Sequence, residues 1–227
     1  MSSEASPTAW LALRLEAPLQ SWGFEDRFSR RKTGLLPTKS ALLGLCCAAL
    51  GAGRGSEEEK AWMPKLNKLE LLTIAIPRVV GERPLTVRRM EDYHTVQNTR
   101  TADGKIKETH ITYRTYLNDA AFAAILYGSE VTLRALADAI ADPVWGIWLG
   151  RKACIPSAPL LVGVFETKIA ALAKVLNGRP LTAFTHQREV STFVDGTDTF
   201  MDSPITFADP REFSPRRVNL ERSVNLT

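Results

Sequence analysis

RFSRRKTGLLPTKSALLGLCCAALG, residues 27–51, joins a run of bare cations to a helix that is apolar on nearly every side. Arg27, Arg30, Arg31, Lys32 and Lys39 bring positive charge, with no acid among them. Thr38 is placed to cap a helix over residues 41–50 and Gly51 to end it. With no polar face, that helix has to be buried and rigid. The amides of Thr38, Lys39 and Ser40 then open the helix unpaired, at the positive end of its dipole and beside a basic loop. This combination predicts a phosphate, or a run of phosphates, held at the helix tip. The competing reading is a solvated basic loop in front of a helix capped only for stability.

A nucleotide-binding P-loop is excluded by spacing. Its pattern needs glycine directly before the lysine and again five residues earlier, where this chain has Thr38 and Thr33. Pro37 also removes an amide that the phosphate nest would use.

The 227 residues suffice for one large domain or two small ones without crosslinks, and the formal charge of +4 is mild. Basic character therefore matters only where it is concentrated. Of three cysteines, Cys46 and Cys47 are adjacent inside the apolar helix and Cys154 stands alone. Buried free thiols in a reducing cytoplasm account for them. There is no run of about 18 apolar residues and no signal peptide at the start, so a cytoplasmic protein without membrane association is expected.

Outward from the helix, residues 10–15 (WLALRL) read as a first strand and 69–77 (LELLTIAIP) as a second. The intervening GAGRGSEEEK, residues 51–60, reads as a flexible loop whose acid run is a solvated tip without function. Residues 120–127 (AAFAAILY) fit a third strand or a short helix. Leu133, Leu136, Ala137 and Ile140 recur at helical spacing until Asp142-Pro143 stops them, and 160–165 (LLVGVF) is a further strand. The order β-α-β-β-α-β predicts an α+β fold of the ferredoxin-like, or RRM-like, plan. Residues 1–165 form that domain, and 166–227 a smaller β-rich region packed on it.

Between the second and third strands lies a long excursion, residues 87–117. Segments rich in threonine, tyrosine and β-branched residues flank Asp103-Gly104, a hairpin-turn signal. They contain little that could fill a core. A projecting hairpin that packs on something else is expected, against the alternative of a partly disordered loop.

Five blocks carry a resemblance: LEAPLQSWG (15–23), RKTGLLPTKSALLG (31–44), DYHTV (92–96), YRTYLNDA (113–120) and LGRKACIP (149–156). In this order and spacing the chain resembles the CasD family of type I-E Cascade subunits, within the repeat-associated mysterious protein superfamily. The resemblance runs to about Phe165 and weakens beyond it. It implies a subunit that binds CRISPR guide RNA and holds its repeat-derived 5′ handle. It also implies a hairpin, or thumb, packed on the neighbouring backbone subunit, contact with the large subunit, and target DNA met only through the complex. Guide pairing reads the target, while protein contacts hold the backbone and a few splayed bases.

On that reading Arg27, Arg30, Arg31, Lys32 and Lys39 neutralise handle phosphates, and the amides of Thr38, Lys39 and Ser40 hold one of them. Gln20, Trp22 and Gly23 border the site, Trp22 offering a ring for a base unless it is simply core. Arg151 and Lys152 close the other side, unless they are a solvated loop. Tyr93, His94, Thr95, Arg100, Lys105, Lys107, Arg114 and Tyr116 are expected to touch RNA or the adjacent subunit from the hairpin. A free-standing single-stranded RNA module is disfavoured, because the predicted central strands lack the paired aromatics of an RRM.

No catalytic residue, metal or cofactor is expected. Metal-independent RNA cleavage needs a general base and a general acid, and His94 and His110, with Tyr93, Lys107 and Tyr113 nearby, form the one set of suitable groups. Nothing in the polar flanking sequence would bury or tune them. No closely spaced set of His, Cys, Asp and Glu matches metal-ligand spacing. An endoribonuclease that processes repeat RNA is therefore the alternative function. Repeat RNA incubated with the purified protein in EDTA is expected to stay intact; specific cuts lost on His94→Ala or His110→Ala would make the protein an enzyme.

Overall fold

A computed structural model describes residues 7–23, 29–81, 83–85, 87–101 and 103–223. Its central strands alternate cleanly. In β1 (Thr8–Glu16), Leu11, Leu13 and Leu15 face one side of the sheet and Ala12 the other, all buried. In β9 (Ala121–Ser129), Phe122, Ala124 and Leu126 join the first side, Ala123 and Ile125 the second. Strands covered on both faces are apolar almost throughout, which is why AAFAAILY reads ambiguously. It is a strand.

Two helices cover the first face: α1 (Lys39–Leu50) and α3 (Glu130–Ala141). Leu133, Leu136, Ala137 and Ile140 of α3 are buried as their spacing predicts. The second face is covered by α4 (Lys168–Val175), through Ala171 and Val175, and by Phe184 after a short 3-10 turn at Leu181–Ala183. The sheet runs β10-β1-β9-β4-β11-β13-β12, with β4 at Glu70–Ile76, β10 at Leu161–Phe165, β11 at His186–Val190, β12 at Asp198–Thr206 and β13 at Glu212–Glu221. β11 pairs antiparallel with β4, His186 opposite Ile74. One sheet therefore runs unbroken across the boundary that the sequence suggests near residue 165.

α1 starts and stops as its sequence predicts. Thr38 is extended and its hydroxyl accepts from the Ala41 amide at 3.3 Å. Gly51 lies at φ 70°, the left-handed conformation that glycine adopts without strain, and the Ala52 amide donates to the Cys47 carbonyl at 2.9 Å. Burial pushes the Cys46 and Cys47 thiols up to about 12, so both stay protonated and inert.

Residues 51–60 are not all a flexible loop: a helix starts at Glu57, and of its three acids Glu57 and Glu58 are solvated but Glu59 is not. Ser56 caps α2 (Glu57–Asn67), its hydroxyl accepting from the Glu59 amide at 3.2 Å. Ser56 and Glu59 stand in the S-x-x-E spacing of a capping box, the signal that marks this helix. Glu59 is buried and accepts from the Gly55 amide at 2.5 Å, the Phe207 amide at 2.6 Å and the Thr206 hydroxyl at 2.8 Å. One carboxylate thus ties α2 to the end of β12.

The excursion is a two-stranded hairpin, β7 (Arg88–Arg100) and β8 (Ile106–Asn118), paired in constant register from Arg88–Asn118 to Arg100–Ile106. The Thr101 amide donates to the Lys105 carbonyl at 2.9 Å, and Gly104 takes φ 80° at the turn. Its base is rooted in the core by Tyr116 and Leu117, both buried, and β8 also pairs with β2 (Leu19–Gln20) and β3 (Arg30–Arg31). A small hairpin, β5 (Arg78–Val80) and β6 (Arg83–Leu85), leads into it. No helix among the described residues is long and apolar enough to cross a membrane.

The Glu59 carboxyl has a definite pH signature. Burial alone would raise its pKa, but the bonds from Phe207, Gly55 and Thr206 outweigh burial and hold it below the ordinary value of 4.5. A depressed pKa in the fold stabilises the protein above the unfolded value, and that stability is lost as pH falls through the folded one. The melting-temperature gap between the native protein and Glu59→Gln is expected to be widest near neutrality and to narrow below pH 4.5.

Candidate nucleic-acid interface

β3 is only two residues long, and the hairpin dictates its place: Arg30 and Arg31 run parallel to Tyr113 and Arg114. The Tyr113 amide donates to the Ser29 carbonyl at 2.7 Å and fixes the approach. The loop that follows is pinned by the Thr33 hydroxyl, which accepts from the Trp22 amide at 2.8 Å, and by the Gly34 amide, which donates to the Trp22 carbonyl at 2.7 Å. Arg30, Arg31 and Lys32 are therefore exposed cations on fixed backbone.

Two recesses open on either side of this basic strand, and Arg31 lines both. The first, about 420 Å3, lies against the base of the hairpin and adds Lys32 and Arg89 to Arg30 and Arg31. Glu91 is the one acid among its lining residues. The Arg30 guanidinium sits 5.1 Å over the Tyr113 ring, which meets Tyr93 edge to face at 5.6 Å. The second recess is a groove of about 490 Å3 along α1, with Gly23, Thr38, Ser40 and Arg151 at its near end. Arg151 is held in place: its guanidinium donates to the Thr115 carbonyl at 3.0 Å and the Arg31 carbonyl at 2.9 Å, and lies 4.8 Å over the Tyr116 ring. Four arginines and no acid line this groove.

The tip of α1 is already occupied, which corrects the predicted phosphate site. The Lys39 amide donates to Asp202 at 2.8 Å, and the Ala41 amide to the Thr38 hydroxyl. Lys39 itself is 1% exposed; its ammonium donates to Glu189 at 2.8 and 3.0 Å and to the Asn67 carbonyl at 3.2 Å. Asp202 is in turn gripped by Arg216 through bonds of 2.6 and 2.9 Å. The attraction of an anion to a helix N-terminus operates here, but the anion is supplied by β12 of the same chain. Lys39 is a structural cation, not a phosphate ligand.

Thr38 is buried as the helix cap, and Gln20, Trp22 and Tyr116 also move to the interior. Gln20 is fully buried, its amide nitrogen donating to the carbonyls of Leu15 at 3.1 Å and Ala120 at 2.6 Å. Trp22 is fully buried, edge-on to Phe122 at 6.2 Å, so its ring is core and stacks on no base. Tyr116 is buried at the root of the hairpin, beneath Arg151. Arg27 falls outside the described residues. Lys152 is exposed next to Arg151, and Gly23 is exposed, bridged to Thr33.

On the hairpin, Tyr93, Thr95, Arg100 and Lys105 are exposed, whereas His94 and Arg114 are half-buried. Lys107 pairs with Thr99 in the ladder. His110 is opposite Val96 and His94 opposite Thr112, which puts the two imidazoles on one face in diagonal positions.

Several residues that line the groove carry no expectation from sequence: Arg54, Trp145, Trp148, Phe207, Arg211 and Phe213. The tryptophans had a usable signal, two large rings three residues apart in a Gly/Pro-containing connection. The others come from distant segments that only the fold assembles.

Residues 10–225 match the family described as CRISPR-associated protein (Cas_Cas5). The chain is 30% identical over 213 residues to the "CRISPR system Cascade subunit CasD" of Escherichia coli (strain K12), covering 92% of this chain and 93% of that protein. Among solved structures it is similar to a chain of a "CRISPR RNA-guided surveillance complex" (TM-score 0.72, 25% identity, 94% of this chain and 90% of that one). It is also similar to one described as "Crystal structure of Cas protein" (TM-score 0.67, 29% identity, 94% of each chain).

Proposed function

Because the chain belongs to the CRISPR-associated Cas5 family, we propose that it is a non-catalytic subunit of a Cascade-type complex that holds the 5′ handle of the guide RNA. The observation that carries this reading is the exposed Arg30-Arg31-Lys32 strand between two recesses, one of them lined by four arginines and no acid. A single-stranded phosphate chain passes from Arg30, Lys32 and Arg89 over Arg31 to Ser40 and Arg151. Each cation there is either exposed or fixed by backbone carbonyls, so it meets phosphate without first leaving an acidic partner. Lys152 and Gly23 border the same path.

The four strands β10-β1-β9-β4, with α1–α2 and α3 as crossovers, have the order of a ferredoxin-like fold, and this supports the RRM-like relation. We read residues 1–165 as the guide-binding part and 166–227 as its brace. The hairpin serves as a thumb, reaching the backbone subunit with Tyr93, Thr95, Arg100 and Lys105. Its outer half pairs only with itself among the described residues and is largely exposed, which supports a role in contact rather than in the core. The large subunit is the other neighbour, target DNA is met through the complex, and the protein works in the cytoplasm.

Arg30→Ala, Arg31→Ala and Lys32→Ala combined are expected to abolish guide-dependent co-purification with the other subunits, with an unchanged melting temperature. Intact assembly would overturn the reading. Lys39→Ala, by contrast, leaves the half-buried Glu189 with only the Leu71 amide and the Asn67 carbonyl without its donor. It is expected to cost about 3–5 kcal/mol, a fall in melting temperature on the order of 10 °C. Replacing residues 99–107 by a short turn is expected to weaken joining to the backbone subunit while sparing the melting temperature; equal losses of both would argue against a thumb.

A further inference from the structure

The turn between β11 and β12, residues 191–197, holds two large apolar side chains out in solvent: Phe193 is 75% exposed and Val194 91%. The backbone that carries them is fixed from beneath by Arg217 of β13. Its guanidinium lies 4.1 Å from the centre of the Phe193 ring. It donates to the Phe193 carbonyl at 2.8 and 3.2 Å, to the Thr199 hydroxyl at 2.8 Å and to the Gly196 carbonyl. A Cβ at Gly196 would come within 2.9 Å of Arg217 Nε and 3.1 Å of a Val190 methyl, so the turn closes directly onto these two residues. On its far side the Thr197 amide donates to the Val218 carbonyl at 2.9 Å. Val190, Arg217 and Thr199 stand side by side across β11, β13 and β12, while Glu189, next along β11, points the other way to Lys39 of α1. The apolar cluster on the side away from α1 ends at Leu72, Ile74 and Phe184, short of this row. Met201, two residues beyond Thr199, adds a flexible apolar side chain at 64% exposure.

Apolar side chains held out on fixed backbone mark a contact site, because docking them loses little entropy and removes apolar area from water. The charge around the turn decides what the contact is. Asp195 follows Val194 directly and Asp198 opens β12, and both are exposed. They accept from the Thr192 hydroxyl at 2.5 Å and the Thr197 hydroxyl at 3.0 Å, neutral donors that leave their charge in place. Carboxylates at the tip repel a phosphate chain and complement a basic protein surface. Resting on the reading of this chain as one subunit of a larger complex, we propose that the 191–197 turn is a plug for a protein neighbour. Phe193 and Val194 enter an apolar cleft of that neighbour, and Asp195 and Asp198 meet lysine or arginine at its rim. The contact is separate from the basic strand β3 and from the long hairpin.

The test uses the complex assembled from the full chain, the other purified subunits and guide RNA. With the photo-reactive substitution Phe193→p-benzoylphenylalanine, irradiation is expected to join this chain to one other protein subunit, at an apolar peptide flanked by lysine or arginine. A cross-link to the guide, to a second copy of this chain, to an acidic peptide or to nothing overturns the inference. Phe193→Ser with Val194→Ser is expected to lower retention of that subunit about tenfold, the loss that follows removal of a central apolar anchor. Retention equal to native overturns the inference. Phe193 covers Arg217, so where the serine variant melts below the native protein, Asp195→Lys decides. Several-fold weaker retention at the native melting temperature supports the plug, and native retention overturns it. A native chain that joins no other subunit fails the complex reading itself, whereas native assembly undisturbed by either variant fails only this inference.

Discussion

Two carboxylates from the last strands, Asp202 and Glu189, hold the first turn of α1, and the groove along that helix depends on them. Asp202 takes the Lys39 amide and Glu189 the Lys39 ammonium, while Arg216 neutralises Asp202 from the neighbouring strand. Buried ions are tolerable only when each is paired and hydrogen-bonded, and here every member of the chain Arg216–Asp202–Lys39–Glu189 has such a partner. The network sets α1 against the C-terminal strands, so one wall of the groove comes from residues 207–213 and the other from the loop after α3. Glu59 repeats the device at the other end of β12 by capturing the Phe207 amide.

This has a consequence for how charge is distributed. Lys39 and Arg216 spend their charge inside the protein, whereas Arg30, Arg31 and Lys32 keep theirs at the surface. A cation becomes available to a phosphate only where the fold gives it no carboxylate. β3 is held to the hairpin by its backbone and by the Arg30 guanidinium over the Tyr113 ring, neither of which takes up its charge. Arg151 is a middle case, bonded to two carbonyls and stacked on Tyr116, fixed in direction but still carrying net charge. Such a cation contributes geometry as well as attraction, because little entropy is lost when it meets an anion.

The hairpin links both roles. Its inner end is part of the core through Tyr116 and Leu117, and its outer end is polar and exposed. The same two strands thus position β3 at one end and offer a surface for contact at the other.

Local chemistry was enough to read α1 with its Thr38 cap and Gly51 stop, the Asp103-Gly104 turn, the α3 spacing and the central strands. Each of these rests on contacts between residues close in sequence or on a repeating apolar period. The Ser56–Glu59 capping box was also legible, but Glu59 read as solvated because its hydrogen-bond donors at residues 206 and 207 lie far along the chain. Arg30, Arg31, Lys32 and Arg151 could be picked out by charge, whereas Lys39, equally basic in sequence, could not be told from them. Only the tertiary structure decided which cations are free, because pairing with Glu189 or with nothing depends on strands about 150 residues away. The same holds for Trp22 against Trp148: one ring type, buried or presented, sorted by which layers of the sheet enclose it.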